Sequence, residues 1–183
     1  MTGYAQDFYE IADTVAQDDD LRENVLELID EEPITGKALE GGDRKTKFRD
    51  VLREFFEGES ALDETIAEIS TRLPRHESPH SHDNRTFADG WDERLARTQI
   101  SRFYNQAVLQ RLDEAGDEEC FVPHSDHEDP GSNCTLQLAG GTVDIETLRV
   151  RLQRAYQDGE YHDEPMIPDH PHCTHTVIPV ADD

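Results

Sequence analysis

Residues 94–116 read RLARTQISRFYNQAVLQRLDEAG. Through this stretch and just ahead of it, apolar side chains recur at Trp91, Leu95, Ile100, Phe103, Ala107 and Leu112. Those spacings of three to five residues return to one side of a helix. No proline interrupts the run, and Gly116 supplies the left-handed residue on which helices commonly stop. The pattern predicts one long helix from about Asp89 to Ala115 and sets the fold class as mainly α.

Working outward toward the N-terminus, the same period repeats in four short stripes. Tyr4, Phe8, Ile11, Ala12 and Val15 form the first. Leu21, Val25, Leu28 and Ile29 follow the acidic turn Asp18-Asp19-Asp20, and Pro33 ends that helix. After a loop marked by Gly36, Gly41 and Gly42, Phe48, Val51, Leu52 and Phe55 make a third stripe. Leu62, Ile66, Ile69 and Leu73 make a fourth. These positions are core contacts and carry no visible chemistry, so residues 1–75 read as an N-terminal helical region. Residues 76–88 read as a linker or surface loop whose His76, His80 and His82 are solvated. Residues 89–183 form the third region. In it the long helix gives way to an aperiodic stretch, 117–143, rich in Cys, His, Pro, Gly and Asp. A helix then runs from about Asp144 to Gln157 on Ile145, Leu148, Leu152 and Tyr156. The alternation in Thr174–Val180 reads as a strand. The expected architecture is a helical body with a small metal-stapled α+β C-terminal region ending in a short strand.

Charge narrows the function classes. Among 183 residues, 42 Asp and Glu oppose 17 Lys and Arg, a formal net charge of −25. A basic DNA-binding face or a cationic membrane helix is therefore not available. No run of about 18 apolar residues spans a membrane, and MTGYAQDFYE lacks the basic and apolar regions of a signal peptide. Hydrophobic residues are 34% of the chain, or about 40% with glycine, below the roughly 45–50% (glycine included) of an average globular protein. Only three basic residues are lysines (Lys37, Lys45, Lys47). Excess carboxylate, scarce lysine and a trimmed apolar fraction together suit a protein working in molar salt. There the Debye length falls to about 3 Å and self-repulsion is muted. Unfolding on dialysis into low salt is the expected behaviour, and indifference to salt would sink the reading.

Cys120, Cys134 and Cys173, with six of nine histidines, fall between residues 120 and 175. Three cysteines cannot all pair within one chain, and nothing implies an oxidising compartment. Structural zinc answers better, because a closed tetrahedron of Cys and His supplies folding free energy to a loop-rich segment. The candidate ligands are Cys173, Cys134 and Cys120, then His170 and His175, then His124. Cys173 and His175 are two apart on an extended segment and face one side. The competing reading is that the thiols are buried apolar groups.

At these residues the C-terminal half resembles the Mu F-like phage minor head proteins, also called head morphogenesis proteins. The resemblance rests on Arg97-Thr98 and Tyr104-Asn105 in the long helix, followed by Asp117-Glu118-Glu119-Cys120 and Cys134. Leu138-Ala139-Gly140 comes next, and then Pro168, His170-Pro171-His172-Cys173, His175 and a short strand. It covers roughly residues 88–180. Three departures stand out: Gln99 replaces a Glu, the acidic insertion PHSDHEDPGSN separates the first two cysteines, and His175 replaces the last cysteine. That last swap keeps a zinc-competent side chain and favours metal over a disulfide. The resemblance implies a non-enzymatic virion protein at the head or portal vertex of a tailed virus, present in the host cytoplasm during assembly. Its implied partners are the portal protein and other head or connector proteins, with several copies around the portal; contact with DNA is left open. Together with the composition, it points to a virus of a halophilic archaeon.

The alternative is a metal-dependent nuclease or processing factor with His170 or His175 as general base. The carboxylates around the cluster argue against it. A thiol protease built on Cys173 lacks an oxyanion hole. Arg94, Arg97 and Arg102 on the long helix are expected to pair within the chain, the other reading being contact with the portal or a neighbouring copy.

Overall fold

The computed structural model describes residues 3–160 and 163–182. Four helices precede the long one: α1 (Ile11–Ala16), α2 (Asp19–Glu31), α3 (Arg44–Phe56) and α4 (Leu62–Arg72). The long helix α5 spans Trp91–Glu114, close to its expected limits. It ends as anticipated. Gly116 adopts φ +90°, and the Asp117 amide donates back to the Leu112 carbonyl at 3.0 Å, satisfying an orphan end group. The first apolar stripe starts later than its period suggests. Tyr4 and Ala5 precede any helix, and Asp7 caps a single 3-10 turn, Phe8–Glu10, that leads into α1.

The four stripes point inward except at Ala12, which is exposed. Phe48, Val51, Leu52, Ile69 and Leu73 are buried with Val25, Ile29 and the α5 residues Ile100, Phe103 and Leu112 in one continuous apolar cluster. The same cluster reaches Leu148, Leu152 and Val177 near the C-terminus. Helix α5 is buried on most of its circumference, since Ala96, Ile100, Phe103 and Tyr104 face one way and Arg102 and Leu109 another. It is the spine on which α2 and α4 pack from one direction and α7 (Ile145–Tyr156) from another. Asp18 ties this arrangement at one point. Its carboxylate caps α2 by accepting from the Leu21 amide and binds both Arg111 guanidinium nitrogens of α5 at 2.7 and 3.1 Å.

The stretch 117–143 is more regular than its composition suggests. It contributes β1 (Glu119–Val122), a one-turn helix α6 (Asn133–Gln137) and, at its end, β2 (Gly141–Asp144). With β3 (Ile178–Pro179) these make a three-stranded antiparallel sheet in the order β2-β1-β3. Cys120 lies opposite Val143 on one side and Pro179 on the other. The expected strand Thr174–Val180 joins the ladder only at Ile178–Pro179. The preceding backbone is spent elsewhere: the Thr174 carbonyl accepts from the Phe8 amide, and the Val177 amide donates to the Asn105 side chain. No helix among the described residues is long and apolar enough to cross a membrane.

Candidate metal centre

Two segments build the site. The first is the acidic insertion, which leaves β1 at Pro123 and returns through α6. Ser132 caps α6, accepting from the Thr135 amide, and this sets Cys134 in the first turn, buried. The second is residues 169–175, where the Cys173 amide donates to the His170 carbonyl at 3.0 Å and closes a turn over Pro171. Glu128 from the first segment reaches into that turn. Its Oε2 accepts from the Thr174 amide at 2.7 Å, and its Oε1 lies 2.9 Å from His170 Nε2.

The result is a compact donor set. One ligand atom each from Glu128, Cys134, His170 and Cys173 lies within 4.8 Å of all the others. The Cys134 and Cys173 sulfurs are 3.9 Å apart, close to the roughly 3.8 Å between two sulfurs each about 2.3 Å from a tetrahedral zinc. Two sulfurs, an imidazole nitrogen and a carboxylate oxygen make a four-coordinate set. These residues are fit to hold a metal ion.

Electrostatics already prepare it. Cys134 is drawn strongly toward thiolate, chiefly because the Cys173 S–H donates to it, with help from His170 and His175. Cys173 is pushed well above an ordinary thiol, first by that same bond and then by burial. A metal bound here would displace the proton that Cys173 donates to Cys134. His170 is raised, first by its bond to Cys134 and also by the charge of Glu128.

The anticipated ligands divide. Cys134, His170 and Cys173 come together. His175 is fully buried beside them, with Nδ1 3.9 Å from Cys173 Sγ and 3.7 Å from Glu128 Oε2, but it lies outside the four-membered set. Its Nε2 is buried with no hydrogen-bond partner among the described residues. Cys120, expected as a ligand, does not join: its thiol sits in the sheet, donates to the Val143 carbonyl at 3.5 Å and is pushed up to about 12 by burial. His124 is exposed at the β1 exit, its ring lying where a Cβ on Gly140 would have to go. Glu128 was not anticipated. One glutamate in a chain with 42 acidic residues carries no sequence signal, and only its burial sets it apart.

The residues around the centre lock it to α5 and to the N-terminal segment. Asn105 accepts from the Val177 amide, Arg97 donates to the His172 carbonyl at 3.5 Å, and the Thr176 hydroxyl donates to the Ala5 carbonyl at 2.6 Å. Tyr104 in turn accepts from the Ala5 amide at 2.9 Å. Arg97 also stacks over Phe8 and Tyr9, and the buried Arg102 lies between the Phe103 and Tyr156 rings while donating to Gln99. Arg94 donates to the carbonyls of Ala88 and Asp89 ahead of its own helix. In the loop before α5, His80 pairs with Glu40, and His76 and His82 lie outside the donor set.

Comparison with family models, with curated proteins and with solved structures finds no match to this chain.

Proposed function

We propose that this chain is a structural minor head protein of a tailed virus, of the Mu F-like kind. In this reading it acts at the portal vertex, and zinc held by Glu128, Cys134, His170 and Cys173 staples its C-terminal region. One observation supports it above the rest: the separated sequence blocks that carry the resemblance touch one another. Arg97 meets His172, Asn105 meets Val177, and Cys134 meets Cys173. Blocks that fold onto each other in this way behave as one co-operating motif, as a shared domain requires.

The donor set argues for a structural ion. Four protein ligands fill a tetrahedron, whereas a catalytic zinc keeps a position open for water. Bound zinc would join the α6 loop to the 169–175 turn and hold both against α5. The composition adds the setting, molar salt, where recognition of the portal relies on short-range contacts.

Elemental analysis of purified protein tests the ion: about one zinc per chain is expected, and Cys173→Ser should remove it. Mass spectrometry of purified virions with co-purification of the portal tests the role. Absence of the protein from virions would overturn the viral reading, and metal-dependent nicking of DNA would overturn the structural one.

A further inference from the structure

A cavity of about 750 Å³ opens beside the metal centre, within the size range of small-molecule sites. One wall is a continuous face of α5. Trp91, Arg94, Leu95, Thr98 and Gln99 line it at spacings of three and four residues. Tyr156 and Met166 extend the apolar floor, and His170 closes the end nearest the metal ligands. Across the opening stand Lys37 and Arg85.

The polar groups are unequal in a telling way. Asp83, on the same rim, is occupied: its oxygens accept from the Arg85 and Thr86 amides and the Thr86 hydroxyl, and it pairs with Lys37 at 3.6 Å. Asp169 accepts from the Met166 amide. Arg85 is exposed, and its guanidinium makes no ion pair among the described residues. Gln99 is 4% exposed, its Oε1 is committed to Arg102, and its Nε2 has no acceptor among the described residues. An amide donor on the cavity wall over an apolar floor, with Arg85, unpaired among the described residues, at the mouth, suits an acceptor with an apolar body. The lining sets Lys37, Arg85 and Arg94 against Asp83 and Asp169, a slight positive excess in a chain of net charge −25.

We propose that this cavity binds an amphipathic carboxylate, its apolar body against Trp91, Leu95, Tyr156 and Met166 and its anionic group toward Arg85 and the Gln99 amide. This does not rest on the portal role or on the identity of the metal. Such a group arrives either on a free aromatic or aliphatic acid or on an acidic peptide carrying a bulky apolar residue.

Trp91 is the only tryptophan in the chain, so its emission reports occupancy directly. The metal-loaded protein in molar salt is titrated with anilinonaphthalene sulfonate. Competitors are 4-phenylbutyrate, its uncharged analogue 4-phenylbutanol, and a blocked Asp-Phe-Asp peptide. Saturable 1:1 binding with energy transfer from Trp91 is expected. Displacement by phenylbutyrate assigns the free acid, and displacement by the peptide alone assigns the peptide source. The alcohol should compete about tenfold less well, the loss expected of a charge-assisted bond. Arg85→Glu, at an exposed position, should weaken binding about tenfold at unchanged melting temperature and zinc content, and Leu95→Glu should abolish it. Dye binding without transfer from Trp91, displacement by neither carboxylate, or an Arg85→Glu affinity within twofold of wild type would each overturn the proposal.

Discussion

The helical body and the C-terminal region are both well buried, yet different groups fill their interiors. Between α1 and α4 the buried side chains are Ile11, Leu21, Ile29, Phe48, Leu52, Phe56 and their like. Around the metal centre they are Cys134, Cys173, Thr174, His175 and Thr176, with the Glu128 carboxylate among them. Apolar burial spreads its stabilisation over many contacts, so one lesion removes a fraction of it. Donor atoms around an ion concentrate it in four side chains, so one lesion removes nearly all. With an ion bound, the C-terminal region would therefore be the brittle part of a molecule whose core is otherwise continuous.

The widest separation between the two regions should come from chelation. Stripping the metal should lower the melting temperature by about 10–20 °C. Amide exchange should rise sharply across residues 123–137 and 169–177, while the far-UV helical signal stays. Uniform exchange across the chain would show that the contrast is not real. Next in size is Phe48→Ala, a fully buried ring in α3. It should cost about 3–5 kcal/mol, a drop of about 10 °C in a chain of this length, at unchanged zinc content.

Asp18→Asn should cost less, about 2 kcal/mol, since it weakens a helix cap and the ion pair to Arg111 together. Its sign with pH follows from the Arg111 hydrogen bond, which holds the folded carboxyl below its ordinary value. The contribution is complete above the unfolded pKa, near 3.9, and is lost as pH falls through the lower folded one. The stability gap between wild type and variant should therefore narrow below about pH 4, read by denaturant titration. The smallest effect belongs to Cys120→Ala, about 1 kcal/mol with zinc content intact. Loss of zinc there would return Cys120 to the ligand set.

The same contrast explains what the sequence made legible. Helical stripes such as Phe48, Val51, Leu52 and Phe55 are periodic, and period survives without knowledge of neighbours, so the body and the limits of α5 could be read directly. The donor set has no period. Cys134, His170 and Cys173 were visible because Cys and His are scarce and chemically distinctive, whereas Glu128 was hidden among like residues. Cys120 was misread for the opposite reason: a thiol looks like a ligand, but strand pairing put it in the sheet. The over-long final strand has a similar origin. Alternation in 174–180 correctly signalled extended backbone, but its partners up to Val177 are Glu128, Phe8 and Asn105, lying outside any sheet.

The hydrogen bond from Thr176 to Ala5 joins residues 171 positions apart. It has a consequence for biosynthesis. A ribosome making this chain releases residues 5–8 well before residues 174–177, so the earlier segment waits for its partner through the synthesis of everything between them. Helices α1–α4 contact near neighbours and can order as they emerge, but the ligand turn and the N-terminal segment it clamps must close afterwards. Metal capture would accordingly be a late event, and a nascent chain stalled before Cys173 would carry an ordered body and an open end.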